Sequence, residues 1–432
     1  MPLKNNKVKK FLFSCFLLSV SIFGQPNQRG PSFRTNLSFE SETISIPRID
    51  GEFSVYFTYR MPYKFLVFER EDHKYNAGFR VIVEISDDNS NLIVRDIKDS
   101  KISVDNFELT NDKTLSIQDY LTFKLKSGEY KIDVLISDLN STGELPLKPE
   151  KLNLIGKEDK KVENPLIIKA QEINCSDRKA FLLANSGGSI PFSNEVFNLV
   201  IPVRDTSVKN LTIKIENNDE NIFSGVIDES YIIPIGITMC ENNLAVTSDS
   251  ANILFRNFIL RDVNAKLTEG KVVLNVSNEE NEIDKEYESQ VVWFNKPFSL
   301  RDSEKAIEFL SYIESDSVVS SMLDEDESDY PKILNDFWKK FDPTPETAYN
   351  EIMFEYYSRI DYAMREFRGI SKDDGAKTDR GMIYIRFGKP DKIMRSSNPE
   401  GQIIEIWTYL NPEKKFSFVD KKGTGNFTLI EE

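Results

Sequence analysis

Over most of its length the chain alternates apolar and polar residues in short runs, then changes to a helical spacing near residue 295. Glu52–Tyr59 is the clearest alternation: Phe53, Val55 and Phe57 fall on one side, Ser54, Tyr56 and Thr58 on the other. A period of two places successive side chains on opposite faces of a strand. Runs of the same kind stand at Phe79–Ile85, Leu92–Ile97, Leu121–Leu125 and Tyr130–Ser137. Between them lie Ser86–Asn91, Asn111–Lys113 and Lys126–Gly128, all turn compositions. This spacing predicts an antiparallel β-sandwich-like domain over 37–145. Leu145–Pro165 carries prolines and the charged patch Gly156–Lys161, and reads as a connection. A second sandwich-like domain is predicted over 165–294, with strands at Val196–Val203, Leu211–Ile215, Ser230–Ile237, Ile253–Leu260 and Lys271–Val276. Asn217–Asn221 forms a hairpin turn within it.

Beyond Trp293 the period becomes helical. Asp302 and Ser303 are candidate caps for a helix through Ala306, Ile307, Phe309 and Leu310. Asp324–Pro331 interrupts, and a second helix runs through Ile333, Leu334 and Phe337 to Phe341. Thr344 as N-cap with Pro345 at the first position predicts a third helix to about Phe367. Its apolar face is Ala348, Ile352, Tyr356, Ile360, Ala363 and Phe367. Met382–Phe387 alternates again and is predicted as a strand entered by a turn at Asp379–Gly381. Further strands follow at Lys392–Arg395, Ile403–Tyr409, Lys415–Asp420 and Phe427–Ile430, with a last hairpin at Lys421–Gly425. The expected fold is mainly β with an α segment: two antiparallel sandwich-like regions, then a helical region and a small α+β C-terminal module spanning 295–432.

Composition adds a compartment. Lys4, Lys7, Lys9 and Lys10 precede the uncharged run Phe11–Phe23, a signal-peptide pattern over residues 1–24. Its removal takes away four lysines and no acids, so the net charge of −15 becomes −19. Such a chain does not hold nucleic acid by neutralising phosphates. No later stretch is long and apolar enough to span a bilayer. The expected location is exported: periplasmic, outer membrane-associated or extracellular. Cys175 and Cys240 remain after cleavage; they are either a disulfide or two buried free thiols.

The densest motif is Gly375–Asp391, GAKTDRGMIYIRFGKPD. Gly375, Thr378, Asp379 and Arg380–Asp391, then Glu405–Tyr409 and Phe418–Gly425, resemble the GWxTD domain of exported bacterial proteins, chiefly of Bacteroidetes. Trp293–Phe294, Phe337–Pro345 and Glu355–Ala363 extend the resemblance upstream, and Phe53–Phe68 does so more weakly. The name-giving tryptophan is here Ala376. The resemblance implies location and architecture, and brings no activity with it.

The catalytic inventory is thin. The single histidine, His73, lies in a polar loop, and no G-x-S-x-G elbow accompanies it. One histidine and two separated cysteines make a poor zinc set, and no phosphate-loop or dinucleotide fingerprint occurs. No metal or cofactor is expected. Candidate interaction residues are Gly375, Thr378, Asp379, Arg380, Gly381, Tyr384, Arg386, Gly388, Pro390, Asp391 and Trp407. Gly381 and Gly388 are expected to supply positive φ or close backbone approach, Asp379 to cap a turn, and Arg380 with Arg386 to meet carboxylates. The leading functional expectation is a non-enzymatic binding or assembly protein with protein partners in the cell envelope. The alternative is a carboxylate-dependent hydrolase of envelope glycans, for which Asp373, Asp374 and Asp379 crowd the signature.

Overall fold

A computed structural model describes residues 39–112, 115–154, 161–185, 187–369 and 374–431. The predicted signal segment and Asp373 lie outside the described residues.

The N-terminal two-thirds is a stack of sheets. A three-stranded antiparallel sheet has Phe53–Pro62 at its centre, flanked by Glu40–Pro47 and Ser116–Leu125. Both faces of the central strand are buried. Phe53, Val55, Phe57 and Tyr59 join a core with Phe79, Val81, Val83 and Ile136 of a six-stranded sheet. Tyr56, with Ile44 and Ile46, packs the other way, against Leu166, Val200 and Phe255 of a seven-stranded sheet. Ser54 and Thr58, on the same side of the strand as Tyr56, lie at this second interface with their hydroxyls satisfied. Ser54 donates to Asn252 Oδ1 at 3.1 Å and Thr58 to the Glu42 carbonyl at 3.1 Å. The two β regions therefore form one continuous stack.

The seven-stranded sheet presents its other face to a five-stranded sheet. Phe197–Val203, buried at every position, faces Ile213, Ile215, Val272, Leu274 and Val276. The predicted strand Ser230–Ile237 is two strands, Ser230–Pro234 and Gly236–Cys240, which form the two opposite edges of the seven-stranded sheet. Ile235 alone separates them, so the sheet must curl until its edges approach. The hairpin at Asn217–Asn221 is as expected: Asn218 and Asp219 both take positive φ, the geometry whose twist matches two strands joined by two residues. One pairing departs from the antiparallel expectation, since Ser189–Pro191 runs parallel to Ile283–Val292.

The expected connection Leu145–Pro165 is partly strand. Glu144–Pro146 and Glu150–Leu154 both pair with Gly128–Asp138, and Leu152 and Leu154 alternate into the first core. The helices are α1 (Phe107–Thr110), α2 (Ser303–Phe309), α3 (Asp316–Leu323), α4 (Tyr330–Trp338), α5 (Glu351–Glu366) and α6 (Asp379–Phe387). Thr344 is not the cap of α5. That role belongs to Asn350, whose Oδ1 accepts from the Met353 amide at 2.9 Å, and Ala348 instead donates its amide to the Ala265 carbonyl. Ile352, placed on the buried face by its spacing, is accordingly exposed in the first turn. The core does not break at residue 295: Trp293 packs on Phe192 and Tyr349 with ring centroids 5.0 and 5.7 Å apart. A four-stranded antiparallel sheet, Lys392–Ser397, Ile403–Leu410, Glu413–Asp420 and Thr428–Glu431, closes the chain against α5 and α6.

Met382–Phe387 is not a strand but the body of α6. Its alternation misleads because the helix is enclosed on most sides. Arg380, Gly381, Ile383 and Ile385 are all buried, and the exposed stripe is narrow, Met382 and Arg386, one of them apolar, so the 3.6-residue period is weak. The decisive signals are terminal: Thr378 at the N-cap and Gly388, with φ of 76°, at the C-terminal end.

Candidate functional site

The signature begins as a tight turn. Asp374 accepts from the Ala376 amide at 3.0 Å and so caps a single 3-10 turn, Gly375–Lys377. Thr378 faces both ways: its hydroxyl donates to the Gly375 carbonyl at 2.7 Å and accepts from the Gly381 amide at 3.1 Å. Two of the glycines are there for closeness. A Cβ on Gly375 would stand 2.3 Å from the Ala363 carbonyl oxygen, and one on Gly381 2.1 Å from that of Gly375. Gly381 itself has helical φ; only Gly388 needs the left-handed region. Ala376 is fully buried between them.

From this turn α6 sends Asp379 and Arg380 inward. Asp379 accepts from the Leu429 amide at 2.7 Å and ties the last strand to the helix, a longer-range task than the turn cap expected of it. Arg380 is 8 % exposed. Its guanidinium lies 3.4 Å from Glu405 Oε1, donates to the Gly425 carbonyl at 3.0 Å, and rests on the Phe427 and Phe367 rings at 4.0 and 5.2 Å. Burial lowers its pKa, with Glu405 opposing. Glu405, 1 % exposed, also accepts from Arg395 Nε at 2.6 Å and from the Trp407 indole N–H at 2.7 Å. Its charge is met on both oxygens.

The loop that supplies the Gly425 carbonyl is itself held by Asp420. That buried carboxylate accepts from the amides of Gly425 at 2.7 Å and of Lys422 and Thr424 at 3.2 Å each. Burial raises its pKa, but the amide donors outweigh it and leave the net shift downward. The cluster thus runs from Asp420 through the loop to Arg380, Glu405, Arg395 and Trp407.

The remaining candidates are similarly engaged. Tyr384 stacks on Tyr362 with centroids 4.5 Å apart, and burial pushes its pKa up to about 12. Arg386 donates to the Tyr312 carbonyl at 3.1 Å. The Gly388 carbonyl accepts from Tyr409 at 2.9 Å, Pro390 is buried, and Asp391 accepts from the Leu410 amide at 2.7 Å. The structure therefore gathers Arg380, Tyr384 and Trp407 around one aromatic and polar core. It places Arg386 and Asp391 at separate anchoring points.

Glu405, Arg395 and Asp420 were missed by reasoning from sequence. A signal for Glu405 exists: it is the one acid in Ile403–Leu410, two positions from Trp407 and so on the same face. A groove of about 610 Å³ lies beside the turn, lined by Asp302, Glu308, Tyr312, Asp374 and Lys377 among others. Among the described residues no group of three or more His, Cys, Asp or Glu side chains is arranged to hold a metal ion. Cys175 and Cys240, far from this module, are both buried free thiols in the structure, in one small cluster with Ala180 and Ala245.

No curated protein matches the sequence. A family model does, over residues 276–431, a span that opens within the strand Gly270–Asn278 and takes in every helix from α2 onward together with the closing sheet. Its description, GWxTD domain, joins the geometry of the turn, of α6 and of the Arg380 cluster: this chain carries a GWxTD domain as its C-terminal part, with Ala376 in the place of the signature tryptophan.

Proposed function

We propose that the chain is an exported, non-enzymatic component of the bacterial cell envelope that binds protein partners. The observation that carries this reading is the engagement of Arg380, Glu405 and Trp407 with one another. A guanidinium and a carboxylate placed for catalysis would face a cleft, whereas these are buried and hydrogen-bonded. The partner surface we favour is the edge strand Ser230–Pro234. Tyr231, Ile232 and Ile233 are 54, 44 and 45 % exposed, with Leu254 beside them on the neighbouring strand. A sheet edge with exposed apolar side chains suits an added strand from an extended protein segment.

The test is photo-crosslinking in the native envelope from a reactive residue placed at Ile232, compared with one at the exposed Leu410. A discrete adduct at Ile232 that disappears on Leu254→Lys supports the reading. Equal labelling from both positions overturns it.

The glycan-hydrolase alternative has one feature in its favour, the groove where Asp302, Glu308 and Asp374 share a wall. Paired carboxylates about 5–10 Å apart are the machinery of such enzymes. Release of soluble sugars from purified envelope, abolished by Glu308→Gln, would establish it. Asp374 already caps the signature turn, which weighs against a catalytic role for that carboxylate.

A further inference from the structure

A cavity of about 120 Å³ lies between the seven-stranded and five-stranded sheets, apart from the edge strand and from the GWxTD turn. Its walls are apolar and come from both sheets: Leu199 on one side, Ile215, Val272 and Leu274 on the other. Its rim is polar, and Glu42 reaches it from the three-stranded sheet, with Ser289 nearby. One oxygen of that carboxyl group, Oε2, is buried and has no hydrogen-bond partner among the described residues.

These features are in tension as a purely structural arrangement. A buried carboxyl oxygen without a donor costs free energy, since nearly all such groups in folded proteins are paired. An apolar void between sheets forgoes packing contacts that the walls would otherwise make. One ligand relieves both. A short alkyl or single-ring body fills the apolar space, as small hydrocarbons fill apolar cavities of about 150 Å³. A head that donates hydrogen bonds meets the carboxyl oxygen. Burial, reinforced by the charge of Glu150 and opposed by the Gly188 amide, brings the Glu42 pKa to about 7. The group can therefore receive a neutral donor or a cation near neutrality.

We infer that the space between the two sheets is a binding site for a small amphiphile with a compact apolar body and a hydrogen-bond-donating head, an amine above all, seated on Glu42. The inference does not rest on the partner reading, because the cavity shares no residue with the Ser230–Pro234 edge.

The test is isothermal titration of the purified chain with n-pentylamine, n-pentanol and pentanoate at pH 7.5. The expected order is amine tighter than alcohol, with pentanoate not binding. Glu42→Gln is expected to weaken the amine at least tenfold and the alcohol by less than threefold. Val272→Phe, which fills the cavity, is expected to abolish both. If Val272→Phe fails to fold, the Glu42→Gln contrast decides alone. No heat with any probe up to 5 mM would overturn the inference, as would equal binding by all three or amine binding unaffected by Glu42→Gln. Ile232 crosslinking is read separately, so failure here leaves the partner reading standing.

Discussion

Arg380 and Glu405 lie 25 positions apart in the chain and meet in the interior of the GWxTD domain, Nη1 to Oε1 at 3.4 Å. The contact joins the first turn of α6 to the second strand of the closing sheet. Trp407 completes it by donating to the same Glu405 oxygen at 2.7 Å. Trp407→Phe keeps an aromatic ring and removes that donor. An unmade hydrogen bond to a buried charge costs about 1–3 kcal/mol. Denaturant unfolding of the variant should show a loss of that size; an unchanged midpoint would mean that the indole N–H adds nothing.

The start of α6 makes a sharper pair of variants. Thr378→Ala removes the cap on Gly381 and should cost about 1 kcal/mol, while Thr378→Ser should recover most of it. Gly381→Ala should be far worse than Gly388→Ala. The first drives a Cβ to 2.1 Å from a backbone oxygen, whereas the second meets the Arg359 side chain and a backbone conformation open essentially to glycine alone, worth about 1–3 kcal/mol. The reverse order in thermal melting would show that the turn relaxes easily.

Much of this fold is legible in the sequence where one local rule decides. Phe53–Tyr59 alternates and is a strand; Asn218 and Asp219 sit where a two-residue hairpin needs them. The sequence misleads where burial removes the pattern. α6 alternates by accident because its exposed stripe is as narrow as Met382 and Arg386, and nothing local to Ser54 and Thr58 shows that a second sheet covers their side of the strand. Thr344 and Pro345 imitate a helix start that Asn350 supplies. The candidate residues Arg380 and Trp407 can be picked out by type and motif. Their meeting at Glu405 cannot, because it depends on how a sheet docks on a helix.

Acid–base behaviour should centre on the first strand. Burial raises the pKa of Glu40 to about 7, against the opposing charges of Arg60 and Lys64, and that of Glu42 to about 7, reinforced by Glu150. Folded-state values above the unfolded ones mean that the stabilisation is fully present below about pH 4.5 and is lost as pH rises through 7. Each group contributes at most about 3 kcal/mol, at 1.36 kcal/mol per unit. Melting temperature should fall between pH 5 and pH 8, and the double variant Glu40→Gln, Glu42→Gln should flatten that fall. Asp99 and Asp420, whose values are lowered, act only in more acid solution and leave this window clear. A melting temperature that climbs from pH 5 to pH 8 would contradict the assignment.

The buried thiols offer a further check. The Cys175 thiol beside it raises the pKa of Cys240 to about 11, so little thiolate exists at neutral pH. Native reduced protein should react with iodoacetamide many times more slowly than denatured protein at pH 7.5. Rapid native labelling at either cysteine would show that the hairpin ends open freely.

The central claim is that the polar residues of the signature hold the GWxTD domain together. A double-mutant cycle on Arg380→Met and Glu405→Gln tests it most directly. Removing one partner of a buried pair costs about 3–5 kcal/mol where the other charge is left uncompensated. Glu405→Gln leaves Arg380 in that position, whereas after Arg380→Met Glu405 keeps Arg395 and the Trp407 indole, so the Arg380→Met loss should be the smaller. Unfolding free energies should show a loss of that order for Glu405→Gln, a smaller one for Arg380→Met and a double loss well below their sum, with a coupling of about 1.5–3 kcal/mol. A coupling under about 0.5 kcal/mol, with both single variants as stable as the parent, would contradict the account.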